Sequence, residues 1–204
     1  MNPLNTIAGT LVAGLVISLL IVFATLGDHI VGGVAANSII IWAHAFAGIV
    51  WIGLLYYFNF VQVPALADAA ADEGGPGAAG ISKYVAPRAL LWFRWGALFT
   101  WLTGAAFLGH RGQLDDAFAL GTLTDPINPY GLTIGIGAWF GTIMLFNVWI
   151  LIWPNQKKVL GMVEATADEI ARAKRIAFLA SRTNTMLSVP LLMSMVGAGH
   201  GFFM

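Results

Sequence analysis

The chain has 204 residues, 58% hydrophobic and 10% charged, with ten basic and ten acidic side chains and a formal net charge of zero. A soluble domain of this length carries about 25% charged residues, so an ordinary water-soluble fold is excluded, and the neutral balance gives no electrostatic footprint for nucleic acid. Cysteine is absent, which removes disulfides, thiolate zinc sites, iron–sulfur clusters and covalent c-type haem attachment from this sequence.

Five apolar stretches follow one another, at about residues 6–26, 38–63, 89–109, 131–153 and 177–203. Each is long enough for the ~20 residues that cross ~30 Å of hydrocarbon. They predict an all-α polytopic membrane protein, a single transmembrane domain over 1–204 built as a bundle of five transmembrane helices. The first stretch reads as a membrane helix and not as a secretory signal, because Met1–Thr6 contains no Lys or Arg and the apolar run exceeds a signal core.

The second stretch, "WAHAFAGIVWIGLLYYFNF" at 42–60, places His44 and Asn59 in a segment otherwise fit for hydrocarbon. Residues 67–80, "ADAAADEGGPGAAG", are small and acidic and read as a linker. The third stretch carries Arg94 and ends at His110; the loop after it, 111–130, holds three aspartates and the turn "DPINPYG", placed to lie over one mouth of the bundle. In the fourth, Gly131, Gly135, Gly137 and Gly141 are read as small residues that let helices approach closely, as is "AGTLVAGLVIS" in the first. "TADEIARAKR" begins with a capping pattern, Thr166 three residues before Glu169, and predicts a helix running into the fifth stretch.

Basic residues set the orientation. Lys83, Arg88, Arg94, Lys157, Lys158, Arg172, Lys174, Arg175 and Arg182 fall on one side of the five-span topology and only Arg111 on the other. The positive-inside rule then gives N-in and C-out.

All four histidines fall at the outer end: His29, His44, His110 and His200. From Ser38, a rise of ~1.5 Å per residue puts His44 roughly 9 Å deep and nearly level with His200. Histidines near helix ends commonly just hydrogen-bond at the interface, but polar side chains at membrane depth mark pathways, cofactors or partners. Gly48, one turn after His44, leaves room for a flat macrocycle, and Trp42 and Trp51 flank it. The inference is a b-type haem held by His44 and His200, with His110 in reserve and Gly48 and Trp51 at its edge. Copper, bound by the same histidines with Met193 or Met195, is the alternative. Toward the other end Asn59, Gln62, Arg94, Asn147, Arg182 and Asn184 form either an interhelical hydrogen-bond network or an inner cavity for a polar or quinone-like ligand.

Four strings carry a resemblance: "HAFAGIVWIGLLYYFNF", "APRALLWFRWGALFTWLTG", "GAWFGTIMLFNVWILIWPNQKK" and "SRTNTMLSVPLLMSMVGAGH". Together they resemble the N-terminal membrane domain of the membrane-bound urate oxidase (urate hydroxylase) family, in a short form without the family's cytochrome c domain. The resemblance matches His44, Gly48, Trp51 and Gly53 to a His-x-x-x-Gly-x-x-Trp-x-Gly pattern, Trp92 and Trp101 to a tryptophan-rich third span, Arg182 and Asn184 to the start of the last helix, and His200 to its close. It implies an oxidoreductase that oxidises a small substrate or relays electrons to a periplasmic or membrane-anchored cytochrome c or respiratory complex. An accessory or assembly subunit of such a complex is the other class of reading. Beyond these the bilayer is the partner, and an oligomer of the chain is compatible with the pattern.

Overall fold

The computed structural model describes residues 2–26 and 33–201; His29 lies outside the described residues. No strand is present among them. The chain divides into two units, Met1–Ile39 and Ile40–Met204.

In the first unit a 3-10 turn, Pro3–Asn5, is capped by the Asn2 side chain, which accepts from the Leu4 N–H at 2.9 Å. Helix α1, Ile7–Leu26, is predominantly apolar and contains no charged residue. Two of its hydroxyls bond to backbone carbonyls one turn back: Thr10 donates to the Thr6 carbonyl and Ser18 to the Gly14 carbonyl, both at 2.9 Å. That is the arrangement required of polar side chains without water.

In the second unit, α2, Gly33–Tyr56, which begins in the first, passes through a π-helical turn, Tyr57–Gln62, into α3, Val63–Ala71. Helix α4, Ala86–His110, follows another π turn, Ile81–Val85; the short α5, Leu114–Phe118, precedes α6, Pro129–Phe146; a third π turn, Asn147–Ile152, leads into α7, Trp153–Val159; and α8, Ala167–His200, closes the fold. The π turns share one cause. Pro64, Pro87 and Pro154 each sit two residues beyond the end of such a turn. A proline lacks the N–H for the i−4 carbonyl and its ring collides with that carbonyl; widening the preceding turn by one residue removes the collision without ending the helix.

Three stretches are long and apolar enough to cross a membrane among the described residues: Ile7–Ala24, Ala36–Ala71 and Pro129–Val159. They correspond to the first, second and fourth predicted spans. The third and fifth fall on α4 and α8, helices of 25 and 34 residues. Both are long enough to cross, but Arg94 and the tryptophans dilute the apolar content of α4, and Asn184 and the serines that of α8.

The core of the second unit draws on all four long helices, with Trp51 and Leu55 from α2, Phe93 from α4, Met144 and Val148 from α6 and the turn after it, and Leu191 from α8. The glycine stripe of α6 is a packing surface on two sides. A Cβ at Gly131 or Gly135 would run into Asp116 or Ala117 of α5, and one at Gly137 into Ser194 and Met195 of α8. Half of the stripe therefore seats a short loop helix and half a long one.

Buried polar side chains tie the helices together. Asn147 donates to the Asn184 Oδ1 at 2.8 Å, and Asn184 in turn donates to the Met144 carbonyl at 3.0 Å. Asn59 donates to Ser181 at 2.8 Å, Tyr56 and Ser188 share a 2.9 Å hydrogen bond, and Ser194 donates to the Thr133 carbonyl. Asn184 is 0% exposed, so Asn184→Leu leaves the Asn147 donor buried and unpaired at a cost of about 1–3 kcal/mol. The expected result is a lower unfolding midpoint for the single variant and recovery in Asn147→Leu/Asn184→Leu, measured by thermal denaturation. An unchanged midpoint in the single variant would remove the pair from the stabilising network.

At the start of α8 the predicted cap is present: the Thr166 Oγ1 accepts from the Glu169 N–H at 3.3 Å and the Glu169 carboxylate accepts from the Thr166 N–H at 2.8 Å. That backbone donor, with the Thr166 hydroxyl and Lys158 3.9 Å away, holds the Glu169 carboxyl below its ordinary range.

Candidate functional site

His44 and His200, from helices far apart in sequence, line one cavity of about 470 Å³, within the ~300–1,000 Å³ typical of small-molecule sites. Its wall is predominantly apolar and aromatic, with Trp51, Trp101, Phe107 and Phe118 among the lining residues. The segment between α4 and α6 contributes Arg111 and Phe118, and the first turn of α6 contributes Tyr130.

The orientation of His44 is fixed by its backbone neighbour. The Nδ1 lies 2.8 Å from the Thr100 carbonyl oxygen, which can only accept, so Nδ1 carries the proton and donates. In the neutral ring Nε2 then holds a free lone pair, the tautomer used when an imidazole ligates a metal while its other nitrogen is anchored to a carbonyl. The ring fits there because of Gly104: a Cβ at that position would stand 2.9 Å from the His44 Cε1 and 3.1 Å from its Nδ1.

Two further groups give the cavity a polar character. The Trp51 side chain is 2% exposed and its indole N–H has no hydrogen-bond partner; a buried unpaired donor is costly and marks a place for an acceptor. Arg111 lies exposed at the rim, its guanidinium 5.5 Å from the Phe107 ring centre and 5.9 Å from that of Tyr130. No carboxylate pairs with it among the described residues. An apolar chamber with imidazole lone pairs, an unpaired N–H and a rim cation suits a flat, largely apolar ligand that carries acceptor or acidic groups. The chemistry of this donor set fits a b-type haem with its two carboxylates.

The remaining predicted residues are placed as follows. Gly48 does not line the cavity; a Cβ there would meet only the Thr100 Cγ2, at 3.8 Å. His110 ends α4, exposed and outside the cavity wall. Met195 lines it and Met193 does not. Sequence reasoning missed Thr100, Gly104, Arg111 and Tyr130. Arg111 alone had a usable signal, as the single basic residue on its side of the predicted topology.

The inner polar residues do not converge on one site. A second cavity, about 730 Å³, is lined by Asn59 and Gln62 but not by Arg94, Asn147, Arg182 or Asn184. Asn147 and Asn184 spend their hydrogen bonds on each other and on the backbone. Arg94 stacks on Trp153, its guanidinium 3.8 Å from the ring centre, and Arg182 lies 5.3 Å from that of Phe178.

Residues 123–204 match the family model described as urate oxidase N-terminal. The match takes in the strings that begin at Gly137 and Ser181, so the family resemblance read there is supported over α6 to the C-terminus. No curated protein and no solved structure matches the chain.

Proposed function

We propose that the chain is a haem b-binding redox protein of a bacterial inner membrane, related to the urate oxidases, with five membrane-crossing helices, its N-terminus inside and its C-terminus outside. The observation that carries this reading is the meeting of His44 and His200 on one apolar cavity, with the His44 Nδ1 bound to the Thr100 carbonyl and its Nε2 left as a lone-pair donor.

In this reading His44 and His200 would hold the haem iron, Trp101, Phe107 and Phe118 would enclose the group, and Arg111 with the Trp51 N–H would receive its acidic groups. When bound there, haem would supply one-electron exchange. The apolar wall keeps water from the centre. Asp115 and Asp125 are exposed in the segment between α4 and α6, a negative charge that suits docking of a basic cytochrome c as external electron acceptor. The small substrate of a urate oxidase would be oxidised at the same end.

The test is a reduced-minus-oxidised absorption spectrum of the purified protein, followed by addition of urate without dithionite. A b-type α-band that grows on urate addition is the expected result. A band reducible by dithionite but not by excess urate would keep the haem and discard that substrate; no band at all discards the reading. A second reading, copper held by His44 and His200, draws on Met195, whose soft thioether belongs to the same cavity wall. It predicts bound copper by elemental analysis in place of the band.

A further inference from the structure

The second cavity lies between the π turn Tyr57–Gln62, the beginning of α4, α7 and the first turns of α8. Its body is apolar, with Phe58, Leu66, Phe93 and Leu160 in the wall. Its polar groups are of two kinds. Gln62 is 7% exposed and its side-chain oxygen has no hydrogen-bond partner. An acceptor buried in that way is destabilising unless a donor reaches it, and the cavity is the open space beside it. At the other extreme Lys174 and Arg175 of α8 line the cavity while remaining exposed. No Asp or Glu is among the lining residues, and neither cation has a carboxylate partner among the described residues.

We infer that this cavity is a binding site for an amphipathic organic anion. Its apolar body packs against Phe58 and Phe93, an N–H or O–H of the ligand donates to Gln62, and its acidic group rests at Lys174 and Arg175. The site is separate from the histidine cavity and does not depend on what that cavity binds. Two sources share this chemistry, an acidic membrane lipid and a soluble aromatic acid.

The experiment uses the full chain in nanodiscs of neutral phosphatidylcholine, titrated with 8-anilinonaphthalene-1-sulfonate, whose anilino N–H, rings and sulfonate match the three elements of the site. The expected result is saturable fluorescence above empty discs. Lys174→Ala/Arg175→Ala weakens it by about tenfold, equal to roughly 1.4 kcal/mol, and Gln62→Leu weakens it further. Ala105→Phe, which fills the histidine cavity, leaves it unchanged. Both charge substitutions are at exposed positions, so the fold is retained and circular dichroism checks it. Displacement of the probe by phosphatidylglycerol in the disc assigns the site to a lipid, and displacement by 1-naphthoate in neutral discs assigns it to a soluble acid. No saturable signal, affinity unaltered by the double substitution, or loss of the signal in Ala105→Phe overturns the proposal.

Discussion

If the chain holds haem as proposed, His44→Ala is expected to lower the haem content of the purified protein by more than about tenfold, the scale on which even outer-shell substitutions at metal sites act. The readout is the α-band of the reduced protein per mole of chain. The size of the effect follows from how completely the ring is committed. Its Nδ1 proton is bound to the Thr100 carbonyl at 2.8 Å, so the only lone pair the ring offers is on Nε2. His200→Ala is expected to act differently, because His200 is exposed near the end of α8 and no hydrogen bond among the described residues fixes its ring. Loss of that imidazole leaves His44 as the single anchor, with a retained but altered band and new binding of external imidazole at the freed position. His110→Ala should leave the spectrum intact, since His110 is outside the cavity. Full haem occupancy in His44→Ala would take away the principal ligand, and loss of the band in His110→Ala would relocate the site to the exposed end of α4.

Much of this architecture was legible in the chain because hydrocarbon-length apolar runs have few alternative readings. Every predicted stretch falls on a helix among the described residues, and the Thr166–Glu169 cap is where its spacing put it. The π turns were not foreseen, although each is followed by a proline just outside one end of an apolar stretch; the collision with the i−4 carbonyl was the missing step. Pairing of buried polar groups was half legible. Asparagines in apolar helices must find partners, but which asparagine meets which depends on helix rotation, and no periodicity shared by two helices reveals it. For the same reason Arg94 and Arg182 were grouped with the asparagines at the level of depth, whereas their rotation turns them onto Trp153 and Phe178. His44 and His200 could be placed level by counting residues. That both would face one chamber could not be counted, because depth and rotation are independent along a helix.

Rotation also decides which glycine matters, and Gly104→Val against Gly48→Ala is the pair that shows it. Spacing favours Gly48, one turn from His44 on the same helix. The geometry favours Gly104, on the opposing helix, where an added Cβ would stand 2.9 Å from the His44 ring, closer than side chains tolerate. Because Thr100 holds the ring from the same helix, a valine at 104 has two outcomes. It either breaks the Nδ1 hydrogen bond and releases the tautomer that leaves Nε2 free, or drives α4 away from α2 and opens the cavity. Both are expected to reduce haem content by about tenfold or more, as loss of a ligand's orienting partner does. At Gly48 an added Cβ meets a methyl at 3.8 Å, an ordinary contact, and replacing a mid-helix glycine by alanine favours the helix by roughly 0.5–1 kcal/mol. Gly48→Ala should therefore keep its α-band and unfold at an equal or higher temperature. Gly104→Ala, with one carbon at the same place and the same gain in helix propensity, separates collision from helix destabilisation: it should be more helix-stable in isolation yet poorer in haem than the parent. A haem-replete Gly104→Val beside a haem-depleted Gly48→Ala would mean that the imidazole is seated by its own helix and that the packing of α4 against it plays no part.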